Sequence, residues 1–260
     1  MARVLPVFLP LGVCLLLVVP ASGALLEDTF DGTGDLAPAV WTATESSAAV
    51  DVGRVGGVAR MALTDACAKN DYGQAMSVGS WAPPAVGGLD WSADFRKAGA
   101  GADRPMLEPF RFDSPAGGLS LRLVYGSTAA TLYVFQADGS IGTTVALRDA
   151  SDNLFDPTSA NTHWQHVAVG LTAHDVSVTL TGTADGQTYG LYSATVTGYT
   201  DYFDLGQGRA GHVGLRTEAK VQGGVAQAGE FDNVALVPEP ATAALAAAGL
   251  LWGLVRRRGV

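Results

Sequence analysis

The acidic side chains of this sequence include two clusters that could bind a hard metal ion. Asp28 and Asp31 form the first cluster near the start of the chain, and the second consists of Asp149, Asp152, Asn153 and Asp156. Calcium binds several oxygen ligands at once, so carboxylate and amide oxygens gathered in one segment suit it. Neither cluster matches a calcium-loop motif, and solvated acidic turns are the alternative explanation for both.

A transition-metal site is the other metal chemistry that the sequence suggests, because His163, His166 and His174 lie close together along the chain. Side chains three residues apart on a β-strand point to opposite faces, so His163 and His166 cannot easily ligate one ion. We therefore expect these residues to be ordinary surface or core histidines.

The overall charge limits the class of partner. The 260-residue chain carries a formal net charge of −9, and its one dense basic run is Arg256-Arg257-Arg258 at the extreme end. A negative surface repels nucleic acid and anionic lipid, so neither is expected to be held electrostatically.

The elements that would position these side chains are predicted to be β-strands. Leu119, Leu121 and Leu123 alternate with polar residues, and the segment from Val176 to Leu180 has the same period of two. Such alternation is typical of a strand with one buried face. Further strands are predicted at Leu89 to Arg96, Thr131 to Gln136, Trp164 to Leu171, Gln187 to Thr197, Val213 to Thr217 and Glu230 to Val237.

Turn residues indicate how these strands are connected. Asp138-Gly139 and Asp185-Gly186 fall between alternating runs, where glycine supplies the positive φ that tight hairpins require. Helical periodicity is absent outside the two ends of the sequence. The pattern predicts an all-β fold: a single domain over residues 25–236, built as a two-sheet antiparallel sandwich.

The N-terminus has the three regions of a secretory signal peptide. Arg3 precedes an apolar run from Val4 to Val19, and small residues follow as far as Ala24. We predict a signal peptide over residues 1–24 with cleavage after Ala24, the alternative being a permanent anchor. Removal of Cys14 would leave Cys67 as the one cysteine, which excludes an intramolecular disulfide, and we expect it to be a buried thiol.

The C-terminus combines a proline motif, an apolar segment and basic residues. Val237-Pro238-Glu239-Pro240 is followed by an uncharged run over residues 241–255 and then by Arg256, Arg257 and Arg258. As a helix this run would extend roughly 22 Å, short of a hydrocarbon thickness of about 30 Å. We therefore predict a transient membrane stop with the arginines on the cytoplasmic side; a hydrophobic core helix is the alternative.

This tail, residues 237–260, resembles the PEP-CTERM sorting signal of exported proteins in Gram-negative bacteria that make exopolysaccharide. The resemblance implies that an exosortase-type membrane transpeptidase recognises the motif and removes the tail. It also implies that the protein is first held in the inner membrane and then reaches the cell surface or the extracellular space.

The segment between the two signals resembles the concanavalin A-like and laminin G-like jelly rolls. The resemblance lies in Thr29-Phe30-Asp31 with Trp41, in the run from His163 to Val169, and in the run from Gly229 to Val234. It implies a jelly-roll sandwich, and a structural calcium between the first and last strands would then involve Asp28 and Asp232. Proteins with this fold include sugar-binding modules, glycosidases and adhesive domains, so the fold does not choose among them.

Glycosidases of this fold carry the pattern Glu-x-Asp-x-x-Glu on one strand. Glu230-Phe231-Asp232 supplies the first half, but Ala235 occupies the position of the second glutamate. Retaining hydrolysis needs two carboxylates about 5 to 5.5 Å apart, so we predict no catalysis by this strand. Another pair of carboxylates brought together by the fold remains open.

Saccharide binding would need exposed aromatic rings with polar side chains beside them. The candidates for ring stacking and for hydrogen bonding are Trp91, Tyr125, Tyr133, Trp164, Tyr202, Arg96, Arg111 and Arg122. For Trp164, as for Trp41, the alternative that we favour is a place in the core. The leading hypothesis is a non-catalytic protein associated with extracellular polysaccharide, and the alternatives are a glycoside hydrolase-like enzyme and a purely structural surface protein.

Overall fold

Fifteen β-strands and one short 3-10 helix make up the described part of the chain. The structure is a computed structural model that describes residues 24–83, 88–98, 105–125, 130–155, 163–184, 187–202, 210–220 and 226–238. The strands are β1 (Leu26–Asp28), β2 (Trp41–Glu45), β3 (Val50–Arg54), β4 (Ala59–Leu63), β5 (Tyr72–Ser77), β6 (Gly88–Ala98), β7 (Pro105–Ser114), β8 (Gly117–Val124), β9 (Ala130–Gln136), β10 (Ile141–Ala146), β11 (Gln165–Thr172), β12 (Val176–Ala184), β13 (Gln187–Val196), β14 (His212–Ala219) and β15 (Gln227–Pro238). The 3-10 helix covers Tyr199–Asp201.

The strands form two antiparallel sheets. Sheet A has the order β13-β12-β11-β6-β15-β4-β3, and β1 pairs with β15 at its side. Sheet B has the order β10-β9-β8-β7-β14-β5-β2. The chain repeatedly crosses between sheets, as in a jelly roll, and the predicted all-β sandwich is confirmed.

The core lies between the two sheets and follows from the alternation read in the sequence. Leu119, Leu121 and Leu123 of β8 are fully buried, and in β12 the buried residues are Val176, Val178 and Leu180. Their polar neighbours face away from the core. Burial of these apolar faces is the main force that holds two such sheets together.

The strands on either side of both predicted turns pair as antiparallel neighbours. Gly139, with φ of 80°, lies in the turn between β9 and β10, which pair as antiparallel neighbours. Strands β12 and β13 also pair, although Asp185 and Gly186 themselves lie outside the described residues. Buried Cys67 is 5% exposed, as expected for a thiol packed in the core.

The sequence did not predict strands β1 to β5. In β5 the inward positions are held by Gly73 and Ala75, which are too small to produce a clear apolar alternation. Gly73 is required by packing, because a Cβ atom there would lie 2.8 Å from a methyl group of Val52. Small residues at a close contact between the sheets therefore hid this strand.

The last strand of the chain is a central one. β15 lies inside sheet A with β6 on one side and β4 on the other. It also continues to Pro238, which pairs with Leu89, so Val237 and Pro238 of the predicted sorting motif belong to the folded sheet.

The predicted signal peptide up to Gly23 and the tail from residue 239 onward lie outside the described residues. Ala24 precedes β1, and the backbone N–H of Leu25 already donates to Leu236. Within the described ranges, no helix is long and apolar enough to span a membrane.

Candidate functional site

A β-bulge in the middle of sheet B organises the candidate site. The register of β7 shifts between Leu107 and Phe110, and Pro109 lies in the shifted segment. Proline donates no backbone hydrogen bond and is found in sheet interiors mainly at such bulges. The indole N–H of Trp91, on the opposite sheet, donates to the carbonyl oxygen of Pro109 at 3.1 Å. This bond across the core supports the bulge.

The bulge brings Glu108 and Arg111 to the same outer face of sheet B, although they are three residues apart. Glu108 has no exposed surface, and its Oε2 accepts a hydrogen bond from Nη1 of Arg111 at 3.0 Å. Its Oε1 lies 2.9 Å from Nε of Arg122, an ion-pair distance without the alignment of a hydrogen bond. A buried carboxylate is thus held between two arginines, as burial of a charge requires.

Arg111 is also bound from its other side. Its Nε donates to Oδ2 of Asp113 at 2.7 Å. Burial alone would lower the pKa of Arg111, but the carboxylates of Glu108 and Asp113 outweigh it and raise the pKa. The guanidinium is therefore a permanent cation fixed between two acids.

Aromatic rings support the other two arginines of this face. The guanidinium carbon of Arg122 lies 4.7 Å from the ring centre of Tyr133 and 4.8 Å from that of Phe135. These rings are nearly parallel, with an interplanar angle of 11°. The guanidinium carbon of Arg216 likewise lies 4.0 Å from the ring centre of Tyr72. Such cation–π contacts orient a guanidinium without using its hydrogen-bond donors.

Arg216 completes the row across the sheet. It is directly opposite Glu108 in the register of β14 and β7. Its Nη2 donates to Glu218, which also accepts a hydrogen bond from Lys220. Glu218 therefore has a second cation that would stay in place without Arg216.

These side chains line a cleft of about 320 Å³ on the outer face of sheet B. We call this cleft the sheet B groove and define it by Arg111, Asp113, Arg122, Phe135 and Arg216. Gln136 at the end of β9 and the turn residues Ala137 and Gly139 also line it. The groove combines charged side chains with the aromatic ring of Phe135, a composition suited to a polar ligand.

Three of the candidates for saccharide binding meet at this groove: Arg111, Arg122 and the neighbouring Tyr133. The other candidates do not lie there. Trp91 and Tyr125 are 1% and 2% exposed, so the prediction that they could stack on a ligand is wrong. Both rings pack in the core between the sheets, and the indole N–H of Trp91 donates across it to Pro109.

The remaining aromatic candidates lie elsewhere on the molecule. Trp164 is half-buried rather than in the core, and Arg96 lies 4.6 Å from its ring centre. Tyr202 packs partly against the core, where its ring lies close to Gly142. Trp41 is buried, as predicted.

Sequence reasoning missed Glu108, Asp113, Phe135 and Arg216. One signal was present: in Glu108-Pro-Phe-Arg111-Phe-Asp113 three charged residues interrupt a strongly apolar strand. Charges in the middle of a buried strand are costly unless they are paired, so their presence indicates a polar network.

The carboxylates of the last strand lie on the outer face of the other sheet. Glu230 is bound by Arg96, with Nη2 2.7 Å from Oε2. Oδ1 of Asp232 accepts the backbone N–H of Asn233, and the register of β15 shifts between Asp232 and Ala235. Glu230 is therefore engaged in an ion pair and Asp232 in a backbone hydrogen bond, while the absence of catalysis on this strand stays a prediction.

The pair proposed for calcium, Asp28 and Asp232, is brought to neighbouring parts of sheet A. Burial raises the pKa of Asp232, and the nearby carboxylates of Asp94, Asp31 and Asp28 raise it further. Asp28, however, accepts hydrogen bonds from the backbone N–H of Phe30 and from the indole of Trp41, both at 2.7 Å. Among the described residues no group of three or more acidic, histidine or cysteine side chains is arranged to hold a metal.

The other predicted ligands have local roles. Asp149 accepts hydrogen bonds from the backbone N–H groups of Ser151 and Asn153, which makes it a turn residue. Asp156 lies outside the described residues. Nδ1 of His166 lies 2.7 Å from Oδ1 of Asp94, so this ring nitrogen is engaged by a carboxylate.

Comparison with known proteins supports the same architecture. No protein-family model matches the chain, and no curated protein sequence matches it. Among solved structures, a β-1,3-glucanase from Mycobacterium marinum is 17% identical with a TM-score of 0.56, and the match covers 82% of this chain and 99% of that one. The fold is that of the concanavalin A-like jelly rolls.

Lectins and hydrolases both occur among these structures. The winged bean acidic lectin, in complex with methyl-α-D-galactose, is 12% identical with a TM-score of 0.53, covering 82% of this chain and 98% of the lectin. A glycosyl hydrolase family 16 protein from Mycobacterium smegmatis is 17% identical with a TM-score of 0.52, covering 82% of this chain and all of that one. At these identities the likeness concerns the fold.

Proposed function

We propose that this protein is an exported, non-catalytic carbohydrate-binding protein whose ligand lies in the sheet B groove. The observation that carries this proposal is the state of Glu108, the carboxylate buried beneath the groove. It is completely buried and faces two arginines, so it organises donors for a ligand and does not itself present an oxygen to a substrate.

The same observation argues against hydrolysis. A glycosidase needs one carboxyl group that gives up a proton and a second that attacks or activates water. Glu108 is inaccessible, and Asp113 is bound to the guanidinium that separates it from Glu108. Neither carboxylate is free for the proton transfer or the attack that glycoside cleavage requires.

The groove offers instead what a lectin uses: hydrogen-bond donors in fixed directions. Arg122 is oriented by Tyr133 and Phe135, and Arg111 by its two carboxylates. Donors that are already fixed lose little conformational entropy when hydroxyl groups bind. The lectins and glycanases among the structures of the same fold support a saccharide as the ligand.

A glycan array, combined with a panel of glycoside hydrolase substrates, tests this proposal. We expect the full-length chain to retain a glycan without cleaving any substrate. Arg122→Gln should weaken retention, whereas Arg148→Gln, which changes an exposed arginine outside the groove, should not. Release of reducing sugar would overturn the non-catalytic assignment, and equal retention by both variants would overturn the site.

We also propose that residues 237–260 act as a PEP-CTERM-type sorting signal read by an exosortase-type enzyme, which places the protein outside the inner membrane. The proposal is supported by the motif from Val237 to Pro240, the apolar run and the terminal arginines. Fractionation of the native host tests it. We expect a membrane-bound precursor and a shorter released form, and replacement of the motif by alanines should leave the precursor. Soluble full-length protein with no membrane form would refute the proposal.

A further inference from the structure

The sheet B groove presents arginine donors that its own acids do not use. Oε2 of Glu108 accepts Nη1 of Arg111, Asp113 accepts its Nε, and Glu218 accepts Nη2 of Arg216. Among the described residues this leaves the terminal nitrogens of Arg122, Nη2 of Arg111 and Nη1 of Arg216 without a hydrogen-bonded partner. Nε of Arg216 is also buried and unpartnered among them. Each of the three arginines is 17 to 24% exposed, so its guanidinium still reaches solvent.

The surface of the groove presents more cations than anions, although the whole chain is negative. Three arginines line it, and Asp113 is the one carboxylate in the lining; Glu108 and Glu218, which also pair with these arginines, are buried. The formal charge of the chain is −9. The cations of the groove would attract an anionic ligand, whereas the rest of the negative surface would repel it. Anions would therefore bind at the groove and not elsewhere.

The aromatic residues of the groove reinforce this preference. Arg122 lies over both Tyr133 and Phe135, and Arg216 lies over Tyr72. A neutral sugar is usually held by stacking on an open aromatic face. Here a guanidinium lies on each of these rings, so a ligand meets a fork of cationic donors first. Such forks match carboxylate and sulfate oxygens in geometry and charge.

We infer that the ligand of the sheet B groove is an anionic saccharide, one whose carboxylate or sulfate groups bind Arg122 and Arg216. This inference rests on the proposed carbohydrate-binding function and adds the charge class of the ligand. Uronic acids supply carboxylates, and sulfated sugars supply sulfates. Both present oxygens that accept paired N–H donors.

Binding of the full-length chain to immobilised polysaccharides tests the inference. Alginate and polygalacturonate represent carboxylates, dextran sulfate represents sulfates, and dextran and laminarin are neutral controls. We expect binding to at least one anionic polymer, little binding to the neutral ones, and a decrease in affinity as salt is raised. The anionic polymer that binds more tightly identifies the group.

Two variants test whether the groove is responsible. Arg216→Gln leaves Glu218 paired with Lys220 and leaves the contacts of Glu108 in place, so it should fold. We expect it to weaken anionic binding by about tenfold, the loss typical of one charge-assisted hydrogen bond. Arg148→Gln is the matched control and should change affinity by less than about twofold, as expected of an exposed pair.

The outcomes separate this inference from the function on which it rests. Equal binding of neutral and anionic polymers, lost in Arg122→Gln, would overturn the charge class and leave saccharide binding intact. Anionic binding that Arg216→Gln does not reduce would overturn the assignment to these arginines. Binding to no polysaccharide at all would overturn both. If a variant fails to fold, the salt dependence of polysaccharide binding by the unaltered protein still tests the charge class of the ligand.

Discussion

Replacing Glu108 by glutamine is the most direct test of the buried network in sheet B. The side chain keeps its size, so no cavity forms, but the negative charge is lost. One oxygen can still accept from Arg111 or Arg122, while the new amide N–H groups face a guanidinium that is also a donor. The variant therefore removes the charge compensation of two arginines and leaves the packing unchanged.

The expected magnitude follows from the burial of each partner. Glu108 has no exposed surface, and breaking a fully buried pair costs about 3 to 5 kcal/mol. Arg111 and Arg122 are 19% and 24% exposed and Arg111 keeps Asp113, so solvent and the second acid reduce the penalty. We expect the free energy of unfolding to fall by about 2 to 3 kcal/mol, or roughly 4 to 12 °C in Tm for a domain of this size.

Urea unfolding followed by tryptophan fluorescence measures this change. Asp113→Asn is the matched control, because Asp113 binds the same Arg111 but is 43% exposed. An exposed pair contributes at most about 1 kcal/mol, so this variant should be nearly as stable as the unaltered protein. If Glu108→Gln cost no more than Asp113→Asn, or stabilised the domain, the view that Glu108 holds the arginines in place would be wrong.

Three further predictions concern the supports of the groove and the acidic part of sheet A. Trp91→Phe should lower the free energy of unfolding in urea by about 1 to 3 kcal/mol and weaken glycan binding, because the carbonyl of Pro109 loses its hydrogen-bond donor. Unchanged glycan binding would show that the bulge does not need this hydrogen bond. Hydrogen bonds from His166 and Asn233 outweigh the effect of burial, which alone would raise the pKa of Asp94, so this pKa is lowered. Asp94→Asn should therefore be less stable than the unaltered protein above pH of about 4, and the difference should vanish as the pH falls through the lowered pKa; a constant difference would contradict this. If calcium binds at Asp232, melting curves should show a higher Tm with calcium than with chelator, and Asp232→Asn should abolish the rise; no rise in the unaltered protein would exclude the site.

The strands that the sequence predicted are those with a regular apolar face. In β8 and β12, leucine and valine alternate with polar residues and one face is buried, so period and burial agree. In β5 the inward positions include Gly73 and Ala75, and the close approach of Val52 on the other sheet requires a glycine at position 73. Nothing in a single sequence distinguishes a glycine selected for such a contact from a glycine in a turn.

The site was predicted in part for a related reason. Residue type alone made candidates of Arg111, Arg122 and Tyr133. Arg122 and Tyr133 belong to strands that the sequence predicted, whereas the strand of Arg111 was not predicted. Glu108 and Arg111 are three residues apart, which in a regular strand puts them on opposite faces. Only the bulge at Pro109, held from the opposite sheet by Trp91, brings them together. That interaction depends on a contact between distant segments and has no local signal.

The two proposals for this protein are compatible because the ends of the sandwich and the groove lie on different sheets. Leu26 pairs with Leu236, so the first and last strands are neighbours in sheet A, and β15 ends there at Pro238. A sorting tail that follows Pro238 is therefore joined to sheet A, whereas Arg111, Arg122 and the rest of the groove lie on the outer face of sheet B. Attachment at the C-terminus does not require the groove to be covered. A chain held in the membrane and a processed chain would present the same arginines to saccharide, and glycan binding should be the same before and after removal of the tail.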